Sequence, residues 1–255
     1  MTTYDILGRA YSARRHSDPR IAAAIASALG SSPSVLNVGA GTGSYEPADR
    51  AVIALEPSRV MIAQRPSDAA AAVCGVAEHL PFRDGQFDAV LGILTLHHWT
   101  DQRRGLLECR RVARDRVVLL TWDPTCNDYW LIREYFPEFQ ALDLPRFATF
   151  AELTAMMGPI EVHDVLIPAD CTDGFLGAYW RRPEAYLDAV VRSGISSFHD
   201  VADDDPRLIR LRRDVESGDW AERHADLLAR TTLDIGYRIV VARSSGSGAR
   251  GDVRA

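Results

Sequence analysis

SVLNVGAGTGS, residues 34–44, is the stretch from which the rest of the chain can be read. A short apolar run ends there in Gly39, Gly41 and Gly43, the pattern of a buried parallel strand that runs into a tight turn. Glycine at such a turn tolerates positive φ and lets a ligand approach the bare backbone. A tight turn that binds nothing would use glycine as well, so the next acid matters. Glu56 closes the following strand, AVIALE, residues 51–56, where a carboxylate can accept hydrogen bonds from both hydroxyls of a ribose. Strand, glycines, helix, strand and acid together point to nucleoside binding.

The glycine spacing narrows the choice of nucleoside. A dinucleotide site usually carries GxGxxG, with its third glycine beneath a pyrophosphate, whereas here the third glycine comes one residue earlier. This disfavours a nicotinamide-dependent oxidoreductase. S-adenosylmethionine (SAM) has no phosphate, and its site needs backbone room for the amino-acid part rather than an anion cradle.

Outward from the loop, residues 18–30 read as a helix capped by Asp18, with Pro19 in its first turn and Gly30 at its stop. Downstream, strands and helices alternate: PSRVMIAQR is a helix, AAVCG a strand, FDAVLGILT a strand, DQRRGLLECRRVA a helix and DRVVLLTW a strand. This alternation predicts a parallel sheet with helices on both faces. Beyond Trp122, NDYWLIREYF and TFAELTAMMG read as helices, IEVHDVLIP as a strand, and LDIGYRIVVA as a closing strand. The expected fold is α/β, a Rossmann-like, seven-stranded, mostly parallel sheet. Residues 171–228 are expected to be a helical cap insertion over its carboxyl edge, within a single domain spanning residues 1–242. Residues 243–255, rich in glycine, serine and charge, are expected to be a disordered tail.

Composition sets outer limits. A chain of 255 residues with 47% hydrophobic content can bury a sizeable core. Its formal charge of -6 and the lack of a basic run argue against nucleic acid as a partner and for a small substrate. No stretch approaches the roughly 20 apolar residues of a membrane span, and no secretory signal is recognisable, so a cytoplasmic location is expected. Cys74, Cys109, Cys126 and Cys171 show no CxxC pair, which suggests neither a metal site nor a disulfide framework.

From Tyr4 to Trp122 the chain resembles the class I SAM-dependent methyltransferases, in particular the small-molecule group that includes ubiquinone, menaquinone and sterol methyltransferases. The blocks VLNVGAGTG, LEPSRVMIAQ, AEHLPFRDGQFDAV, LTLHHW and LLECRRVARDRVVLL carry the resemblance in order and spacing. It implies SAM as cofactor, with Gly39, Gly41 and Gly43 along the methionine part and Glu56 on the ribose. Met61 would pack on the adenine, and Ala77 and Glu78 would sit at the adenine edge, where Val76 replaces the acid common in the family. In the segment YSARRHSDP, Tyr11 and Arg15 would approach the SAM carboxylate, for which a guanidinium fork is suited. Where relatives have LKPGG, this chain has VARDRVVLL.

Methyl transfer from a sulfonium needs alignment above all, with a general base only where the acceptor must lose a proton. His97 and His98, just past the fourth strand, are the candidate bases, with His97 slightly ahead. As an alternative, one of them caps the next turn and the other packs with Trp99. Asp123, at the end of the fifth strand, and Tyr179, Trp180 and Arg181 in the cap are candidate substrate residues. A cap helix packing its aromatic face on the sheet would account equally for the last three. The expected function is transfer of a methyl group to a small molecule, with specialised metabolism as its setting. A SAM-binding or product-binding protein of the same fold without transfer is the alternative.

Overall fold

The computed structural model describes residues 16–123, 125–126 and 128–244. Helix α1 (Pro19–Leu29) is capped by the Asp18 side chain, which accepts from the Arg20 N–H, and it buries Ile21, Ile25 and Leu29 on one stripe. There follow β1 (Ser34–Val38), β2 (Ala51–Glu56), α2 (Arg59–Ala63), β3 (Ala71–Cys74), β4 (Phe87–Ile93), α3 (Gln102–Val112) and β5 (Ala113–Trp122). Next come α4 (Pro137–Asp143), α5 (Phe150–Met157), β6 (Ile160–Asp164) and β7 (Ile167–Pro168), and the chain ends with β8 (Thr232–Leu233) and β9 (Tyr237–Arg243).

Seven strands form one sheet in the order β3-β2-β1-β4-β5-β9-β6, parallel except where β9 runs against β5 and β6. This is the Rossmann-like methyltransferase arrangement expected from the sequence. The period of two explains why both faces are covered. Along β5, Val118 and Leu120 pack with α1, whereas Val117 and Leu119 point to the opposite face with Leu106, Cys109 and Val112 of α3 and Leu153 of α5. Strands apolar on both faces are what a doubly covered sheet requires.

Two expected strands are each broken. IEVHDVLIP divides into β6, in the sheet, and β7, which leaves it to pair with β8 through Ile167↔Leu233 and Pro168↔Thr232. LDIGYRIVVA divides at Gly236, where φ is +91° and a Cβ would lie 2.8 Å from both Cys126 Cβ and Trp122 Nε1. Asp234 Oδ1 closes that turn on the Gly236 N–H at 3.0 Å. Apolar periodicity does not reveal such breaks, because both halves remain buried. At the other end β9 continues to Arg243, one residue into the stretch expected to be a tail.

The short ribbon of β7 and β8 pins both ends of the expected cap, residues 171–228. Residues 171–228 themselves consist of short turns plus α6 (Ala189–Arg192) and α7 (Pro206–Ser217). Their core is shared with an earlier segment. Trp130, Tyr135 and Phe136 pack with Trp180, Tyr186, Phe198 and Trp220 in one buried cluster. Trp130 Nε1–H donates to Trp180 O at 2.7 Å, and Trp180 Nε1–H donates to Ile167 O at 2.9 Å.

A second attachment joins the cap to the loop after β1. Tyr45 adopts φ +63°, a conformation uncommon outside glycine. Its N–H donates to Ser17 Oγ at 2.7 Å, and its hydroxyl accepts from the Asp18 N–H and donates to Asp173 Oδ2 at 2.8 Å. Asp18, fully buried, also accepts from the Thr172 N–H at 3.1 Å, and its hydrogen bonds with Arg20 hold its carboxyl well below the usual range. Trp130→Ala removes a large, fully buried side chain from the shared core. It should cost about 3–5 kcal/mol, measured as a fall in unfolding free energy in urea; a loss under 1 kcal/mol would show that this cluster does not hold the cap.

Candidate active site

The glycine loop sits at the carboxyl end of the central strands, where open α/β sheets bind their ligands. Gly39 has φ +68°, and a Cβ there would lie 1.9 Å from Thr95 Oγ1, the residue that follows the end of β4 and Leu94. The N–H groups of Gly39 and Ala40 both donate to Leu55 O, at 2.8 and 3.1 Å, which ties the loop to β2. Across the cleft, Leu94 is held at φ +48°, a strained setting typical of functional sites. Thr95 Oγ1 accepts from Trp99 Nε1–H at 3.2 Å.

Gly39, Gly41, Glu56, Met61, Ala77, Glu78 and His98 line one cleft, together with Asn37, Thr42, Val76, Leu94, Thr95, Trp99 and Thr100. Glu56 is buried; its Oε2 accepts from the Gly41 N–H and its Oε1 from the Ser58 N–H, both at 2.9 Å. A carboxylate offers about four acceptor positions, so these bonds orient it and leave capacity for hydroxyls. Met61 Cε would lie 3.4 Å from a Cβ at Gly41. Glu78 Oε1 accepts from the Asp101 N–H at 3.1 Å.

Gly43 does not line the cleft. A Cβ on it would meet Glu46 Oε2 at 3.2 Å and Arg65 Nη1 at 3.3 Å, on the supporting side of the loop. There Arg65 pairs with Glu46 at 2.7 Å, both side chains nearly buried, and donates to Gly41 O at 3.2 Å. Asn37 Nδ2–H donates to Glu46 Oε1 at 3.1 Å, which leaves Asn37 Oδ1 buried without a partner among the described residues. Sequence reasoning passed over Asn37, although a polar residue inside an apolar strand before a glycine loop is a recognisable signal, because buried polar atoms need partners.

The two histidines separate. His98 opens onto the cleft, whereas His97 lies behind it, stacked on Phe147 with ring centroids 4.4 Å apart. Which of the two faces the cleft depends on the phase of the single turn Leu96–His98, and the sequence does not carry that phase. Burial, the neighbouring His98 and Arg146 push the His97 imidazole well below its ordinary value. Burial and Arg146 push His98 down to about 4. Both are neutral near pH 7.

The candidate substrate residues do not line this cleft. Trp180 is fully buried in the cap with its N–H satisfied, Tyr179 packs on Tyr186 beneath the Arg182 guanidinium, and Arg181 is half-buried in the cap. Asp123 Oδ1 closes a turn on Thr125, accepting from its N–H at 2.9 Å and its hydroxyl at 2.6 Å. Tyr11 and Arg15 lie outside the described residues. Among the described residues no group of side chains has the make-up of a metal site, and no helix is long and apolar enough to cross a membrane.

Comparison with known proteins follows the same outline. A family model for a methyltransferase domain matches residues 36–121. Among solved structures, a protein assigned as a methyltransferase of an antibiotic biosynthesis pathway in Anabaena variabilis is 34% identical, covering 89% of this chain and 98% of that one, with a TM-score of 0.82. A SAM-dependent methyltransferase of Thermotoga maritima is 17% identical, covering 94% and 92%, with a TM-score of 0.51. The cyclase SpnF is 17% identical, covering 94% and 93%, with a TM-score of 0.54. The latter two share the fold. No curated protein matches the chain.

The His97 imidazole supports a pH prediction. Its folded value is depressed below the ordinary 6.5, so between the two the unfolded chain binds more protons and stability decreases as the pH is lowered. Its contribution is intact above pH 6.5 and is lost as acid is added. His97→Phe keeps the stack on Phe147 without the titration. The unfolding free energy of the variant should gain on the wild type between pH 7 and pH 5 in urea melts, and a pH-independent difference would refute the neutral buried imidazole.

Proposed function

The chain belongs to the class I SAM-dependent methyltransferases, and from that premise we propose that it methylates a small-molecule acceptor in specialised metabolism. The observation that carries the small-molecule part is the attachment of residues 171–228, expected to cap the sheet: the β7–β8 ribbon flanks them, and Asp173 accepts from the Tyr45 hydroxyl just after the glycine loop. A cap held there would suit a compact acceptor better than a polymer. The net charge of -6 supports the same reading against nucleic acid. The metabolic setting is supported by the likeness at 34% identity to a protein assigned to antibiotic biosynthesis.

The residues present fit SAM. Asn37 Oδ1, buried and without a partner among the described residues, would be an acceptor for the cofactor's ammonium group. Gly39 and Gly41 would leave the loop bare for its methionine part, Glu56 would take the ribose hydroxyls, and Met61, Ala77 and Glu78 would border the adenine. When bound, SAM supplies a methyl group on a sulfonium, already activated for in-line displacement. The protein contributes orientation, worth on the order of 7–11 kcal/mol in favourable systems. His98, neutral at pH 7 and open to the cleft, accepts a proton from acceptors that must lose one. His97 backs its ring at a centroid distance of 3.8 Å.

Labelled SAM offered with oxygen, nitrogen and carbon acceptors tests the reaction. Labelled product is expected; binding of S-adenosylhomocysteine without product from any acceptor class would favour a binding protein of this fold. Glu56→Gln should weaken S-adenosylhomocysteine at least tenfold by calorimetry with the melting temperature little changed, and undiminished affinity would remove Glu56 from the site. His98→Ala should lower kcat by roughly a hundredfold or more on acceptors that lose a proton, while cofactor affinity stays the same.

A further inference from the structure

Four aromatic rings form a column that ends at the cleft. Its base is Trp122, at the end of β5, whose Nε1–H donates to Ile235 O at 2.7 Å. The Phe147 ring meets Trp122 edge-on, with centroids 5.5 Å apart and planes at 78°. His97 stacks on Phe147 at 4.4 Å with planes 23° apart, and His98 leans on His97 at 3.8 Å. Trp122 and Phe147 are buried, whereas His98 lines the cleft. Edge-on and offset stacked pairs are the arrangements that aromatic rings favour.

Backbone bonds place the histidine turn but not its rings. The His98 N–H donates to Thr95 O at 2.9 Å and the Trp99 N–H to Leu96 O at 3.1 Å, which leaves the side-chain torsions of both histidines to their surroundings. His97 Nδ1 is buried with no hydrogen-bond partner among the described residues, so that nitrogen does not fix the ring; Phe147 and His98 flank it instead. Phe147 is itself held from outside the turn, on the loop between α4 and α5. Its N–H and that of Arg146 donate to Asp143 O at 3.1 and 2.8 Å, and Arg146 O accepts from Gln102 Nε2–H at 2.6 Å, at the start of α3. Phe147 lies beyond both the stretch that carries the family resemblance and residues 36–121, matched by the family model.

We propose that Phe147 is a positioning residue: through His97 it holds the His98 imidazole toward the cleft. This role rests on the reading of His98 as proton acceptor and extends its support to a loop distant in sequence. A base must keep its nitrogen within hydrogen-bond reach of the proton it takes, and the packing behind a reacting group sets that geometry. Without the ring at position 147, His97 is free to turn, and His98 with it.

The test uses the full-length enzyme. Phe147→Leu should lower kcat about tenfold on acceptors that lose a proton, while the acceptor KM and S-adenosylhomocysteine affinity stay within about twofold. Phe147→Tyr, which keeps the ring, should retain most of the rate. In a His98→Ala background, Phe147→Leu should lower kcat no further. The carbon-bound imidazole protons of His98, assigned by their loss in His98→Ala, should shift or broaden in Phe147→Leu loaded with S-adenosylhomocysteine. If Phe147→Leu does not fold, Phe147→Met carries the same expectations. An unchanged kcat, an equal loss in the His98→Ala background, or unchanged His98 resonances would each overturn the proposal. Altered His98 resonances in the variant, with no methylated product from the wild type, would uphold the column and count against the transferase reading instead.

Discussion

The contact between Gly39 and Thr95 is the constraint around which the site is arranged. With Thr95 Oγ1 only 1.9 Å from where a Cβ would stand, the ends of β1 and β4 come closer than two side chains allow. The approach brings the glycine loop, Leu94 and the histidine turn to a common cleft. It also orients Trp99 through its bond to Thr95, and Gly105 on α3 leaves room for that ring, since a Cβ there would lie 2.5 Å from Trp99 Cε3. Each wall of the cleft is thus fixed by a residue whose backbone or side-chain size leaves little choice.

Behind this surface stands a polar layer. Arg65 is nearly buried, yet its guanidinium bonds to Glu46, Gly41 O and Ala70 O, so the cost of burying its charge is offset. Glu46 in turn receives Asn37, and the loop carbonyl is held from below while the N–H of Gly41 is held by Glu56 from above. Both polar groups of Gly41 are therefore satisfied by side chains distant in sequence, which gives the turn a single shape before any ligand arrives.

What the sequence revealed and what it hid follow from the range of the interactions. The strands, the helices, the glycine loop and Glu56 are local patterns, and the central order of the sheet follows from their alternation. The antiparallel β9 and the doubly apolar strands were also readable as buried runs. The β7–β8 ribbon was not, because the paired residues of β7 and β8 lie 64 and 66 positions apart and each strand is only two residues long. The cap core was hidden for the same reason: Trp130 and Tyr135 belong with Trp180 and Trp220, far along the chain. Tyr179, Trp180 and Arg181 suggested a substrate wall by composition, yet hydrogen bonding and burial give Trp180 a supporting place. Gly43 likewise belongs to the pattern of the loop without belonging to its exposed face.

Tyr45 carries one more consequence. Its backbone bonds the segment before α1, and its hydroxyl bonds both Asp18 and the cap residue Asp173, so loop and cap share one buried group. Free energy that settles either element is then available to the other, and thermodynamic linkage makes the exchange reciprocal. Whatever factor an occupant of the glycine loop adds to the affinity beneath the cap, an occupant beneath the cap returns to the loop. The sign of that exchange depends on whether an occupant needs the Tyr45 bonds made or broken.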